Sequence, residues 1–312
     1  MERIPVIFDC DTGIDDAIAI LLALKIPAFD IKGFTCVAGN TPLPKVLRNT
    51  GHVLELAGVD LPVYAGADKP LFADATAPTA EHVHGKNGLG DLEFDDPKRA
   101  PESMKAWDYI YEEAKRQNGA LELIATAPLT NLAMAFLKYK ELPKLIRRIV
   151  IMGGAASYGN VTPAAEFNIY TDPEAAEIVF NSGVPVHMVG LDVTLKAWFN
   201  AEESEKLSAV NEQGMFCHLV GRGEMRYSLG HGFPGMCLHD PCAVIYAAYP
   251  ELYKTDTVGV HVETLGKYTR GKTVTDFLSD KQFPVKNAVI VYDVDREAFR
   301  DKVFELIGSY SA

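Results

Sequence analysis

The sequence contains no C-x-x-C pair. Its five cysteines, Cys10, Cys36, Cys217, Cys237 and Cys242, are an odd set scattered along 312 residues. That pattern argues against zinc and against a disulfide framework, and for reduced thiols in a cytoplasmic protein. Cys10 stands between two aspartates with no base or cation beside it in sequence, so it reads as filler rather than as a nucleophile. Basic residues are also few: 30 Lys and Arg stand against 42 Asp and Glu, a formal net charge of -12. This argues against the basic face that nucleic-acid binding requires and for a small-molecule partner. No apolar run is long enough to span a bilayer. The opening MERIPVIFDCD lacks the apolar stretch of a secretory signal. Neither nucleic acid nor a membrane is expected as a partner.

What is present is alternation. Short apolar or β-branched runs at 4–8, 31–37, 121–125, 149–152 and 186–189 are interleaved with helical patterns from about Asp15 and over 43–57, 129–138 and 173–181. Such alternation signals βαβ units. The expected fold is α/β, a mostly parallel central sheet flanked by helices. With no linker or repeat, residues 1–312 read as a single domain. After Pro250, alternating polar runs predict antiparallel additions before a last helix at 296–308. Two stretches read as long loops: 72–91, rich in Ala, Gly and His, and 220–240, whose glycines and aromatics suit a mobile flap.

The stretch VIFDCDTGIDDAIAILLAL places Asp9, Asp11, Asp15 and Asp16 within eight residues, where a buried strand gives way to a helix. One or two of them fit as helix caps, each contributing about 0.3–1 kcal/mol. Four close carboxylates repel by about 4 kcal/mol per pair at 4 Å and an effective dielectric of 20, which capping does not offset. A hard divalent cation does. The segment is not an EF-hand loop, because Gly13 comes one place early and no glutamate stands twelfth.

Parallel strands bring their carboxyl ends to one edge, where α/β proteins bind ligands. The residues after the other runs should therefore meet these aspartates: Asn40 in AGN, Thr126 in TAPLTN, and the polar GGAASYGN after Met152. In AEFNIYTDPEAA, an extended chain would project Glu166 and Asn168 together, with Phe167 opposite. In LHDPCAVIY, His239 and Asp240 precede a proline-started helix.

With these pieces assembled, the sequence resembles the inosine–uridine preferring nucleoside hydrolases, closest to the bacterial broad-specificity ribonucleoside hydrolases. The resemblance rests on DCDTGIDDAIA, VAGN, HVHG, TAPLTNLA, VIMGGAASYGNVTPAAEFNIYTDPEAA, MVGLDVT and LHDPCAV, in family order over nearly the whole chain. It implies the nucleoside hydrolase fold, assembly as a homodimer or homotetramer, and one Ca²⁺ per subunit. The implied activity is cleavage of the N-glycosidic bond of purine and pyrimidine ribonucleosides to ribose and free base, a step in nucleoside catabolism and salvage. By matching positions, Asp11, Asp16, Asp240 and the Thr126 carbonyl would hold the metal. Asp15, Asn40, Glu166, Asn168 and Asp240 would grip the ribose, with His82, Met152 and Phe167 also contacting substrate. Asp9 matches an acidic position of less defined role. The family usually has proline where this chain has Thr12, a change that loosens the turn or adds a cap.

In the expected mechanism, Asp11 takes a proton from a Ca²⁺-held water as it attacks the anomeric carbon, and carboxylates stabilise an oxocarbenium-like sugar. His239 is the first candidate to protonate the departing base, with His82 and His84 as rivals. Phe167 and Tyr227 are candidates to pack on the base. Two other readings compete. FDCDTG loosely resembles the D-x-D opening of haloacid-dehalogenase-type phosphatases, with Asp9 as nucleophile, Asp11 as acid and Mg²⁺ as metal, although no later acidic motif follows. A non-catalytic Ca²⁺-dependent nucleoside or sugar binder would keep the site without the chemistry.

Overall fold

The computed structural model describes residues 3–72, 79–278 and 282–310. Its centre is an eight-stranded sheet built from β1 (Ile4–Cys10), β2 (Phe29–Cys36), β3 (Val63–Ala65), β4 (Leu121–Ala125), β5 (Ile146–Met152), β6 (Val186–Val189), β9 (Tyr253–Val258) and β12 (Ala288–Val294). The order across the sheet is β3-β2-β1-β4-β5-β6-β12-β9. Every neighbouring pair is parallel except β12 with β9. Two short antiparallel pairs lie outside it: β7 (Trp198–Phe199) with β8 (Met236–Cys237), and β10 (Val260–Val262) with β11 (Thr273–Thr275). The expected α/β class with a mostly parallel sheet is the one observed.

Strand periodicity sets the two cores. Val6, Phe8 and Cys10 of β1 enter one, with the helices Ile14–Lys25, Leu43–Leu56, His239–Ala248 and Arg296–Gly308. Ile7 enters the other, with Ala106–Gln117, Thr130–Lys138 and Pro173–Phe180. This is the two-residue alternation of a strand covered on both faces. The chain winds from β1 outward to β2 and β3, then crosses back to β4 on the other side of β1. The reversal opens a crevice between the loops after β1 and β4, the place where such sheets bind ligands. The Thr126 N–H donates to the Asp9 carbonyl at 2.9 Å, holding the two loops side by side.

Three expectations are corrected. The flap at 220–240 is largely the helix Glu212–Gly230, capped by Asn211, whose side chain accepts from the Gly214 N–H at 2.9 Å. Of its glycines, Gly221 serves packing, while a Cβ at Gly230 would meet nothing within 4 Å. A Cβ at Gly221 would stand 2.4 Å from the Met236 sulfur of β8. Second, the chain at Phe167 is not extended, because Phe167–Thr171 is one helical turn capped by the Glu166 side chain. Third, His239 and Asp240 lie inside the first turn of their helix rather than before it. Within 72–91, residues 73–78 are outside the described residues; the remainder includes the short helix Glu81–His84. The hydroxyl that replaces the family proline neither caps the helix nor frees the turn. Thr12 Oγ1 meets Thr50 Oγ1 at 2.6 Å, and Asn49 Nδ2 donates to the Thr12 carbonyl at 3.0 Å.

Candidate active site at the carboxyl edge of the sheet

The acidic elbow closes tightly after β1. Gly13 caps the helix Ile14–Lys25, and a Cβ there would fall 2.5 Å from His84 Nδ1 and 2.8 Å from Asn40 Nδ2. Only glycine admits both neighbours. The Gly13 N–H donates to Asp16 Oδ2 at 3.0 Å, and the Ile14 N–H to His84 Nδ1 at 3.0 Å. Burial lowers the His84 pKa, consistent with a neutral ring whose Nδ1 accepts. His84, a rival for the catalytic acid in the sequence, is therefore engaged in finishing a helix.

Asn40 arrives from the loop after β2 and grips the first carboxylate. Its N–H donates to Asp11 Oδ2 at 2.6 Å, and its Nδ2 to Asp11 Oδ1 at 3.1 Å and Asp16 Oδ2 at 3.2 Å. Gly39 is required beside it, because a Cβ there would lie 2.0 Å from Asp11 Oδ2. Thr126 Oγ1 donates to Asp16 Oδ1 at 2.7 Å. Asp15, Asp16 and Asp240, all buried, each offer an oxygen within 4.8 Å of the others. The converging trio thus includes Asp15, given to the ribose by the resemblance, while Asp11 lies beside it, held by Asn40.

The electrostatics are unrelieved. Among the described residues no lysine or arginine pairs with these carboxyl groups or lines the cavity above them. Burial, then the Asp15 charge, raises Asp16 to a pKa of about 6 against the lowering effect of its donors. Burial and the Asp16 charge push Asp11 well above the carboxylate range, and burial with the Asp15 charge does the same to Asp240.

The opposite wall is ordered by Glu166 and Asn168. Glu166 Oε2 accepts from the N–H groups of Gly154 at 2.9 Å and Ile169 at 3.1 Å, and Oε1 from that of Asn168 at 2.8 Å. Burial nevertheless raises it to about 7. Asn168 Nδ2 donates to the carbonyls of Thr126 and Met152, both at 3.0 Å, tying the ends of β4 and β5 to the helical turn Phe167–Thr171. His239 Nδ1 lies 2.8 Å from Thr194 Oγ1, and burial lowers its pKa.

A cavity of about 420 Å³ opens above this floor. Asp15, Asn40, His82, Thr126, Met152, Glu166, Phe167, Asn168, His239 and Asp240 all line it, as does Tyr227. Asp11 and Asp16 are buried and do not line it. Asp9 does not line it: its Oδ1 accepts from Thr35 Oγ1 at 2.5 Å and Asn131 Nδ2 at 2.8 Å. The phosphatase reading needed that group as an accessible nucleophile. Sequence reasoning overlooked Tyr158, Asn160, Glu224, His231 and Phe233 in the lining. Asn160, inside the quoted SYGN, was findable as one more polar residue after a strand end.

A doubly covered, mostly parallel sheet with oxygen-rich side chains beneath a cavity at its switch point is the arrangement of an α/β protein that binds a small molecule. The family described as Inosine-uridine preferring nucleoside hydrolase matches residues 6–301. The chain is 44% identical, over 99% of both chains, to a protein of Citrobacter koseri named Pyrimidine-specific ribonucleoside hydrolase RihA. Among solved structures it resembles a plant nucleoside hydrolase, PpNRh1, with a TM-score of 0.93 and 32% identity over 98% of this chain and 99% of that one. It also resembles a Purine-Preferring Ribonucleoside Hydrolase from Gardnerella vaginalis, with a TM-score of 0.91 and 34% identity over 98% of both. The chain belongs to the inosine–uridine preferring nucleoside hydrolase family and is an enzyme of the nucleoside hydrolase class.

Proposed function

We propose that this enzyme is a calcium-dependent ribonucleoside hydrolase that prefers pyrimidine nucleosides, working as a homodimer or homotetramer. The preference narrows the breadth expected above. Its support is the 44% identity to a relative named for pyrimidine specificity, against 34% to a purine-preferring one. The observation that carries the calcium reading is the group of buried acidic oxygens with no lysine or arginine beside them among the described residues.

These groups suit Ca²⁺, which takes carboxylate and carbonyl oxygens. Asp11, Asp16, Asp240 and the Thr126 carbonyl would hold it, with Asp15 adjoining. When bound, the ion supplies positive charge that makes a water more acidic and orients sugar oxygens. Asp11, held by Asn40, takes the proton from the attacking water. Asp15, Asn40, Glu166 and Asn168 hold the ribose hydroxyls. As the glycosidic bond breaks, positive charge develops on the sugar ring, and the surrounding carboxylates stabilise that state more than the bound nucleoside. His239 Nδ1 pairs with Thr194 Oγ1 at 2.8 Å; in the tautomer whose Nδ1 accepts from that hydroxyl, Nε2 carries the proton, and neutral His239 then offers an N–H to the departing base. Met152, Phe167 and His82 form apolar and aromatic surface around it.

A nucleoside panel tests the reading. Ribose and free base should appear faster from cytidine and uridine than from inosine, stop with a calcium chelator, and return with added Ca²⁺. Undiminished hydrolysis after exhaustive chelation would remove the metal from the account, and a purine preference would remove the substrate assignment.

A further inference from the structure

Three buried carboxyl groups have an oxygen without a hydrogen-bond partner among the described residues: Asp9, Glu122 and Glu224. Glu122 faces Arg148 at 2.8 Å and Arg147 at 3.3 Å. Asp9 receives two donors on its other oxygen. Glu224 has neither arrangement. It is 5% exposed, and of the three it alone lines the cavity.

Its helix, Glu212–Gly230, fixes it there. Gly221 lies close against Met236, and Gln213 Nε2 donates to the Leu56 carbonyl at 2.8 Å, so the helix is tied at both its amino end and its middle. One turn beyond Glu224 come Tyr227 and Ser228, which line the same cavity. The rings of Tyr227 and His82 meet edge to face with centroids 5.9 Å apart, presenting aromatic surface to a flat heterocycle. Burial, followed by the Asp15 charge, holds the Glu224 carboxyl well above its usual range.

A buried acceptor without a donor is costly, and where native structures keep one, a ligand or ordered water supplies the partner. In the function proposed above, the ribose hydroxyls are matched to Asp15, Asn40, Glu166 and Asn168. The substrate's remaining donors are on its base. Resting on the pyrimidine reading above, we propose that Glu224 reads the base: its carboxyl group accepts a hydrogen bond from the uracil N3–H or the cytosine amino group. Neither protonation state removes this acceptor, because a neutral carboxyl keeps its carbonyl oxygen. Glu224 is thus a specificity-determining residue that favours aglycones carrying an N–H on the edge away from the glycosidic bond.

The test compares the calcium-loaded full-length enzyme with Glu224→Gln and Glu224→Leu on uridine, cytidine, 3-methyluridine and p-nitrophenyl β-D-ribofuranoside. The last two lack the N–H. In Glu224→Leu, kcat/KM for uridine relative to that for p-nitrophenyl ribofuranoside should fall about 10–100-fold, and the cytidine ratio should fall with it. Glu224→Gln, which keeps an acceptor oxygen in the same place, should retain most of the cytidine ratio. The unaltered enzyme should cleave uridine at least about 10-fold more efficiently than 3-methyluridine. Equal losses on all four substrates would assign Glu224 to the sugar or to the fold and overturn the proposal. Should Glu224→Leu not fold, the uridine to 3-methyluridine ratio decides, and a value near one overturns it. Failure of the unaltered enzyme to release ribose from any pyrimidine nucleoside would instead remove the reading on which the proposal rests.

Discussion

Strand β4 meets buried carboxyl groups at both of its ends and handles them in opposite ways. Near its amino end Glu122, fully buried, pairs with Arg148, its register partner on β5, and with Arg147 beside it. Immediately past its carboxyl end, Thr126 bonds Asp16, with Asp11, Asp15 and Asp240 near and, among the described residues, no arginine or lysine lining the space. A protein that neutralises one buried negative charge with its own cations, yet leaves a denser group without any, separates two purposes. The first end is complete when the chain folds. The second, on the function proposed above, is completed by a cation and a substrate.

Three substitutions or conditions should separate the two ends of β4. Asp11→Ala should lower kcat/KM for uridine by about 10³-fold or more, since it removes a proton acceptor. Its melting temperature in chelator should hold or rise, because one of several repelling carboxyls is gone. Ribose release and a thermal melt read the two parts, and a collapse in stability without calcium would make Asp11 structural.

Glu122→Ala should do the reverse. It strands two arginines, and removing one partner of a buried pair costs about 3–5 kcal/mol. Because Arg147 is largely exposed and screened by solvent, a loss of about 2–3 kcal/mol is expected. Turnover per folded molecule should be unchanged. Urea unfolding measures the first, and a large fall in turnover of the folded fraction would tie the two ends together.

The third and smallest effect is the pH trend of the calcium-free protein. Asp16 is raised from 3.8 to about 6 and Glu166 from 4.5 to about 7, each chiefly by burial. The folded state therefore binds protons more tightly than the unfolded chain. That contribution is fully present below about pH 4 and is lost as pH rises through about 6 to 7. Melting temperature in chelator should fall over that window, and saturating calcium should flatten the trend. A rise with pH in chelator would contradict it.

Much of the fold was legible because parallel strands covered on both faces read as plain apolar runs. Their ends were less so. β5 begins at Ile146 rather than 149 because Arg147 and Arg148, polar in sequence, belong to the strand that neutralises Glu122. The helix Glu212–Gly230 was hidden by glycines that mimic a loop, while the Met236 contact that makes Gly221 useful lies outside any local window. At the site, the meeting of Asn40, Thr126 and the aspartates followed from the shared strand edge alone. The partnerships did not. That Asn40 holds Asp11, or that His84 completes the turn at Ile14, depends on approaches between distant segments. Glu224 gave no signal, because its meaning lies in what it fails to touch. The roles of metal ligand and ribose holder came from the family resemblance.

On the proposed function, the acidic oxygens after β1 and β4 hold a divalent cation. Calorimetric titration of Ca²⁺ into the chelated, dialysed enzyme near pH 6 tests it most directly. One ion per chain is expected, with protons released on binding as raised carboxyl groups ionise. An enzyme that hydrolyses nucleosides yet takes up no calcium and releases no proton would contradict it.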